Sequence, residues 1–156
     1  MLPASLATGM RAIYKTAPAT PYTVTVGFQG VHNNVDGGHI FDGWRNSSTG
    51  YLAIIRYRRE ANPTIRSSKY TSATVFSADY NSNNYPTLSA GAMLWYQLTD
   101  DGSNRTVSVS NDGLNWVLIH SVGRTDFVTG DQIVFGTDTN GGGLGGCAVL
   151  MSYLES

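Results

Sequence analysis

At 156 residues the chain is long enough for one domain with a core of ordinary size, and 41% of it is apolar. Charged residues supply only 13%, about half the usual share of roughly a quarter; Gly, Ser, Thr and Asn fill 60 of the 156 positions, a mixture that suits turns and outward strand positions and makes poor helix surface. That composition excludes a helical bundle, the net charge of −1 and pI near 6.2 exclude a generic nucleic-acid binder, and no apolar run is long enough to insert in a membrane.

Residues 1–10, MLPASLATGM, carry neither a basic leader nor an apolar stretch, so no signal peptide is expected. They read as a flexible lead or the remnant of a longer chain. Leu6, Met10 and Ile13 have helical spacing, which Gly9 and the β-like residues that follow weaken. Thr20–Phe28 alternates: Tyr22, Val24 and Val26 share one face and Thr23 and Thr25 the other, the period of a half-buried strand. Gly37–Trp44 is a second strand, and the turn Arg45–Gly50 leads into a third, Tyr51–Arg59. The Asn62-Pro63 break precedes Thr64–Tyr70, and Ala78–Gly91, containing NSNNYP, reads as a long polar loop.

The clearest element is a hairpin. Leu94–Thr99 and Arg105–Ser110 are joined by a turn containing Asp101-Gly102. Leu94, Tyr96 and Leu98 fall on one face with Val107 and Val109, and Trp95 and Gln97 fall on the other beside Thr106 and Ser108; the first face is expected in the core, together with Ile133 and Phe135 of a later strand. A second Asp-Gly turn, Asp112-Gly113, leads into Asn115–Val122; Gln132–Thr137 and Cys147–Leu154 close the chain around the glycine-rich loop Asp138–Gly146. The lone Cys147 forbids an internal disulfide and reads as a buried strand thiol rather than a catalytic one, since nothing local supplies a base. About nine short strands and no convincing helix predict an all-β, antiparallel two-sheet β-sandwich, one domain over residues 1–156.

Several stretches resemble a known family. Lys15–Val26, Phe41–Ile54, Lys69–Ala78, Leu94–Trp116 and Val122–Phe135, in that order, look like the concanavalin-A-like jelly-roll modules of bacteriophage tail and other virion proteins, similar to modules appended to some glycosidases. The most specific part is Asp100-Asp101-Gly102-x-Asn104-Arg105 followed by Ser110-x-Asp112-Gly113-x-x-Trp116. The resemblance implies a lectin-like jelly roll at the virion surface whose partners are a glycan or other virion subunits, alone or as a homo-oligomer. Independently of it, Asp112 suits a tight turn in which it accepts backbone amides, with Gly113 taking positive φ and Trp116 covering the turn; a ligand role for Asp112 is the alternative.

Catalysis is not expected. Jelly-roll glycanases of the laminarinase type carry Glu-x-Asp-x-x-Glu on one strand; here the only glutamates are Glu60 and Glu155, outside any such motif. Asp36, Asp79, Asp100, Asp101, Asp112 and Asp131 fall in turn contexts and only Asp42 lies in a strand. His32, His39 and His120 lack metal-type spacing, and no cofactor is expected; a structural calcium ion is not indicated.

For binding, Trp95 on the polar face of its strand needs a reason: cover by the Ala78–Gly91 loop, a subunit contact, or stacking on a sugar. Arg56, Arg58, Arg59, Arg66 and Lys69 gather five of the ten cations within 14 residues. They guard an edge strand or meet an acidic surface. Together these features give a candidate site of Trp95, Gln97, Tyr57, Arg56 and Arg58 on one sheet face or its rim, the parity of strand 51–59 being open. The function expected is host-glycan adhesion by a non-catalytic virion module; a structural or decorating module making subunit contacts, and less readily a glycosidase-appended domain, are the alternatives.

Overall fold

The computed structural model describes residues 10–32, 39–58, 64–84, 93–138 and 147–156. Within them the chain forms eleven strands and no helix: β1 (Met10–Thr16), β2 (Tyr22–His32), β3 (His39–Arg45), β4 (Leu52–Arg58), β5 (Thr64–Ser72), β6 (Val75–Asn84), β7 (Met93–Asp100), β8 (Asn104–Ser110), β9 (Val117–Gly123), β10 (Gln132–Asp138) and β11 (Cys147–Glu155). They make two antiparallel sheets, one of six strands in the order β1-β10-β3-β4-β5-β6 and one of five in the order β11-β2-β7-β8-β9.

Two strands depart from the sequence reading. The weak helical spacing near Met10 is the edge strand β1, paired with β10 from Met10↔Asp138 to Thr16↔Gln132. The described part of the expected 78–91 loop, residues 78–84, is β6, which pairs with β5 through three register shifts. Its polar side chains hide it from a periodicity search, because bulges break the alternation. Cys147 opens β11, but its side chain lies outside the described residues.

The inner faces pack as the alternation requires. Val24, Val26, Phe28, Tyr96, Leu98, Val107 and Val109 from one sheet meet Ile40, Trp44, Ile55, Ile65, Ile133 and Phe135 from the other. Leu94, Tyr96, Leu98, Val107, Val109, Ile133 and Phe135, expected in the core, are all buried. Phe28 joins the sheets, its ring 4.8 Å from Tyr96 and 5.7 Å from Phe135. Asp42, the aspartate the sequence placed in a strand, is also buried in the six-stranded sheet; its Oδ1 accepts the Gly43 amide at 2.8 Å, and desolvation raises its pKa well above the carboxylate norm.

The six-stranded sheet has a second core on its outer face. Phe41, Leu52, Ile54, Tyr70 and Val134 cluster there, with Met10 and Ala12 packed against them. The Met10 amide donates to the Ala73 carbonyl at 3.4 Å. Four strand spacings of about 4.8 Å would put β1 about 19 Å from β5 in a flat sheet, so the sheet curls onto its outer face until an edge strand touches the β5–β6 turn. That curl buries apolar side chains on both faces of β4, where Leu52 and Ile54 point outward and Ala53 and Ile55 inward.

Candidate functional site

Of the five residues expected to converge, the four whose side chains are described are divided among three environments. Tyr57 faces the inner core and is 6% exposed. Arg56, its neighbour, faces outward into the curl. Arg58 pairs with His39 and Thr64 at the end of β4, and its side chain lies outside the described residues. Trp95 and Gln97 belong to the other sheet, on the outer side of β7, where Gln97 Nε2 donates to Thr25 Oγ1 at 3.4 Å. Alternation forbids Tyr57 and Arg56 from sharing a face, and two layers separate Arg56 from Trp95.

Trp95 is half-buried, and what covers it is the turn after β8. A Cβ on Gly27, its partner on β2, would lie 2.6 Å from the indole, and one on Gly113 would lie 3.1 Å away. The ring therefore rests on a glycine of the sheet under a glycine of the turn, with its apolar surface largely spent on packing. In that turn Asp112 and Gly113 act as the sequence implies, and the indole packed on Gly113 is that of Trp95. Asp112 Oδ1 accepts the amides of Leu114 and Asn115, both at 2.8 Å, and the hydroxyl of Ser110; Oδ2 accepts Asn115 Nδ2 at 2.7 Å, and Gly113 has φ +74°. These bonds, those from Asn115 foremost, hold the Asp112 carboxyl well below its ordinary pKa.

The basic cluster does not guard an edge. β4 and β5 are interior strands, and the cations separate by face. Lys69 points inward, its ammonium 4.0 Å from the centre of the Tyr80 ring and 3.9 Å from Asp126. Arg56 and Arg66 point outward and converge on Asp79 of β6. Arg56 is only 5% exposed. Its Nε donates to Ser68 Oγ at 2.8 Å, Nη1 to Tyr70 Oη at 2.8 Å and Nη2 to Asp79 Oδ1 at 3.2 Å. Arg66 Nη1 donates to Asp79 Oδ2 at 3.3 Å, and Ser68 Oγ donates to Asp79 Oδ1 at 2.5 Å. Burial foremost pushes the Tyr70 phenol up to about 12, so it stays protonated.

Over this network stands Phe76. Its ring meets Tyr70 edge-on at 5.5 Å and lies 5.4 Å from the Arg56 guanidinium, yet the residue is 49% exposed. Val75 beside it is 52% exposed. The rim formed by β5 and β6 thus presents an aromatic ring held from below by a buried cation, next to the partly exposed Asp79 and Arg66. Ring plus fixed polar groups is the chemistry of a sugar subsite: an apolar plane for the ring face, donors and acceptors for hydroxyls. The sequence reading missed Phe76 and Asp79 because it placed Asp79 in a turn and left Phe76 outside its strands; the Phe76↔Tyr70 pairing that brings them beside Arg56 lies in a bulged hairpin whose register shifts break the alternation.

Neither the family models nor the curated proteins include a match to this chain. Solved structures do. The CBM2 module of an evolved Dit of Lactobacillus casei BL23 phage J-1 superposes with a TM-score of 0.65 at 13% identity, covering 92% of this chain and 68% of that one. Sheep galectin-11, solved with glycerol, gives 0.57 at 11% identity over 97% of this chain and 100% of that one. The GH43 protein BlXynB of Bacillus licheniformis gives 0.64 at 15% identity over 88% of this chain but only 27% of that one. A scytalido-glutamic peptidase, solved with an inhibitor, also matches, with a TM-score of 0.63 at 9% identity. At these identities the likeness shows the fold: a two-sheet antiparallel β-sandwich of the concanavalin-A-like jelly-roll type.

Proposed function

We propose that this protein is a non-catalytic glycan-binding module whose sugar site is the β5–β6 rim, and that it serves host-surface attachment on a phage particle. The observation that carries the site is Phe76, a half-exposed aromatic ring fixed above the Arg56–Asp79–Arg66 network. A large exposed aromatic on an outer strand costs solubility, and here the Tyr70 ring of β5 and the Arg56 guanidinium of β4 hold it in place rather than bury it. Stacking on the apolar face of a pyranose uses that surface, and Asp79 and Arg66 supply an acceptor and a donor for hydroxyls. Fold likeness to a galectin and to a phage carbohydrate-binding module supports the class of function; likeness to the phage Dit module supports placement on a virion.

The non-catalytic reading rests on where the carboxylates lie. Asp42 is enclosed in the core, Glu155 is engaged by Lys15 and Tyr153, and Asp112 is saturated within its turn. Glu60 lies outside the described residues. Among the described residues no group of three His, Cys, Asp or Glu side chains could hold a metal ion, and no helix is long and apolar enough to cross a membrane.

A glycan array with the purified protein tests the reading, followed by titration of any hit against Phe76→Ala and Trp95→Ala. Phe76→Ala is expected to cut affinity at least tenfold, with Trp95→Ala changing it little while lowering stability. The reverse order would move the site to the five-stranded sheet. A clean array, with the protein instead retained on particles lacking it, would favour the structural module.

A further inference from the structure

The opposite edge of the sandwich holds a cavity that the glycan site does not use. It opens between β1 of one sheet and β11 of the other, with a volume of about 190 Å³, and its walls include Ile13, Ile133, Phe135 and Leu150. A bridge crosses from sheet to sheet beside it: Lys15 Nζ donates to Glu155 Oε1 at 2.6 Å, and Tyr153 Oη donates to the same oxygen at 2.6 Å. Lys15 and Tyr153 also line the cavity, the ammonium lying 5.0 Å from the centre of the Tyr153 ring. Ile13 is 50% exposed at this edge.

We propose that this cavity binds a compact amphiphile, a single aromatic ring carrying one hydrogen-bonding substituent. Size sets the first limit. Apolar cavities of about 150 Å³ take up benzene and stay dry otherwise, so this one has room for one ring and a small substituent but not for a fused system with a long chain. Wall chemistry sets the second: four aliphatic or aromatic side chains offer no hydrogen bond to the inner part of a ligand. The bridge sets the third. Glu155 is an acceptor and Lys15 a donor, so a phenolic hydroxyl at that end exchanges water for protein partners while the ring covers the half-exposed face of Ile13. Ligand entry needs no strand to part, because both β1 and β11 are sheet edges.

The test uses p-cresol and protein labelled with ¹³C at Ile and Leu methyls. Saturable shifts are expected at Ile13, Ile133 and Leu150, with nuclear Overhauser effects from the p-cresol ring to the Ile133 and Leu150 methyls in the unmodified protein. Ile13→Trp, placed at the mouth, is expected to abolish the shifts while leaving the urea midpoint and any glycan affinity unchanged. Shifts that rise linearly to the solubility limit, effects spread over the whole surface, or shifts that persist in Ile13→Trp would overturn the proposal. So would movement of the same methyls with protein concentration alone, since a second copy would then be the occupant. Loss of glycan binding in Phe76→Ala bears only on the rim at the far edge, so the two sites fail separately.

Discussion

Replacing Arg56 by methionine separates a residue that holds the rim from one that touches the ligand. The change keeps much of the aliphatic stem and removes the guanidinium, with its three hydrogen bonds to Ser68, Tyr70 and Asp79. Breaking a buried ion pair by deleting one partner typically costs about 3–5 kcal/mol, because the other charge stays behind. Here Asp79 is partly exposed, its side chain at 21%, and retains Arg66 and Ser68, so the lower end, about 3 kcal/mol, is expected. For a chain of this length that is a fall of about 6–12 °C in the thermal midpoint. Urea unfolding of Arg56→Met, Asp79→Asn and the double variant completes a cycle, and the two changes should be clearly less than additive. A cost for Arg56→Met below about 1 kcal/mol, in the range of exposed ion pairs, would refute the reasoning: the guanidinium would then be free in solution and available to a partner directly.

Other outcomes follow from the same geometry. Val109→Ala, which empties two methyls from the inner core, should cost about 1–3 kcal/mol in urea unfolding; no change would mean that β8 has the opposite facing. Gly27→Ala must push the Trp95 ring away, and an overpacking cost of about 1–3 kcal/mol is expected together with an altered tryptophan emission. Asp112 is held below its unfolded pKa, so it contributes stability that is present above about pH 4 and is lost as the pH falls towards the folded value. Asp112→Asn should therefore flatten the acid limb of a urea-midpoint profile taken between about pH 5 and 2, and an unchanged slope would assign that limb to other carboxylates.

The fold was legible where one face of a strand is wet. The β7–β8 hairpin alternates cleanly because its outer side chains, Trp95, Gln97, Thr106 and Ser108, are only partly buried, and the five core residues Leu94, Tyr96, Leu98, Val107 and Val109 follow from it. Legibility ended at β4. Leu52–Ile55 is a continuous apolar run because the curled sheet buries both of its faces, and such a run carries no parity. Hence Arg56 and Tyr57 could not be assigned to faces from the sequence, and the rim they were expected to share with Trp95 does not form. The unbroken run was itself the available clue to a doubly buried strand. Asp79 and Phe76 were hidden differently: they pair across the short Ala73–Thr74 turn, but the bulges in that hairpin break the alternation that would mark its faces.

The curl of the six-stranded sheet divides labour in a way that bears on how such a module diversifies. Phe41, Leu52, Ile54 and Val134 fill the middle of the outer face and answer to stability alone. Residues 73–78, the turn and the first part of β6, are all exposed, so substitutions there shift contacts without emptying either core. With the rim as the proposed binding site, a lineage changing its ligand would rewrite this short stretch repeatedly while the scaffold stays within its narrow stability margin. Sequence change concentrated at 73–78, with the Arg56–Asp79 pair held constant, is the pattern that history would leave.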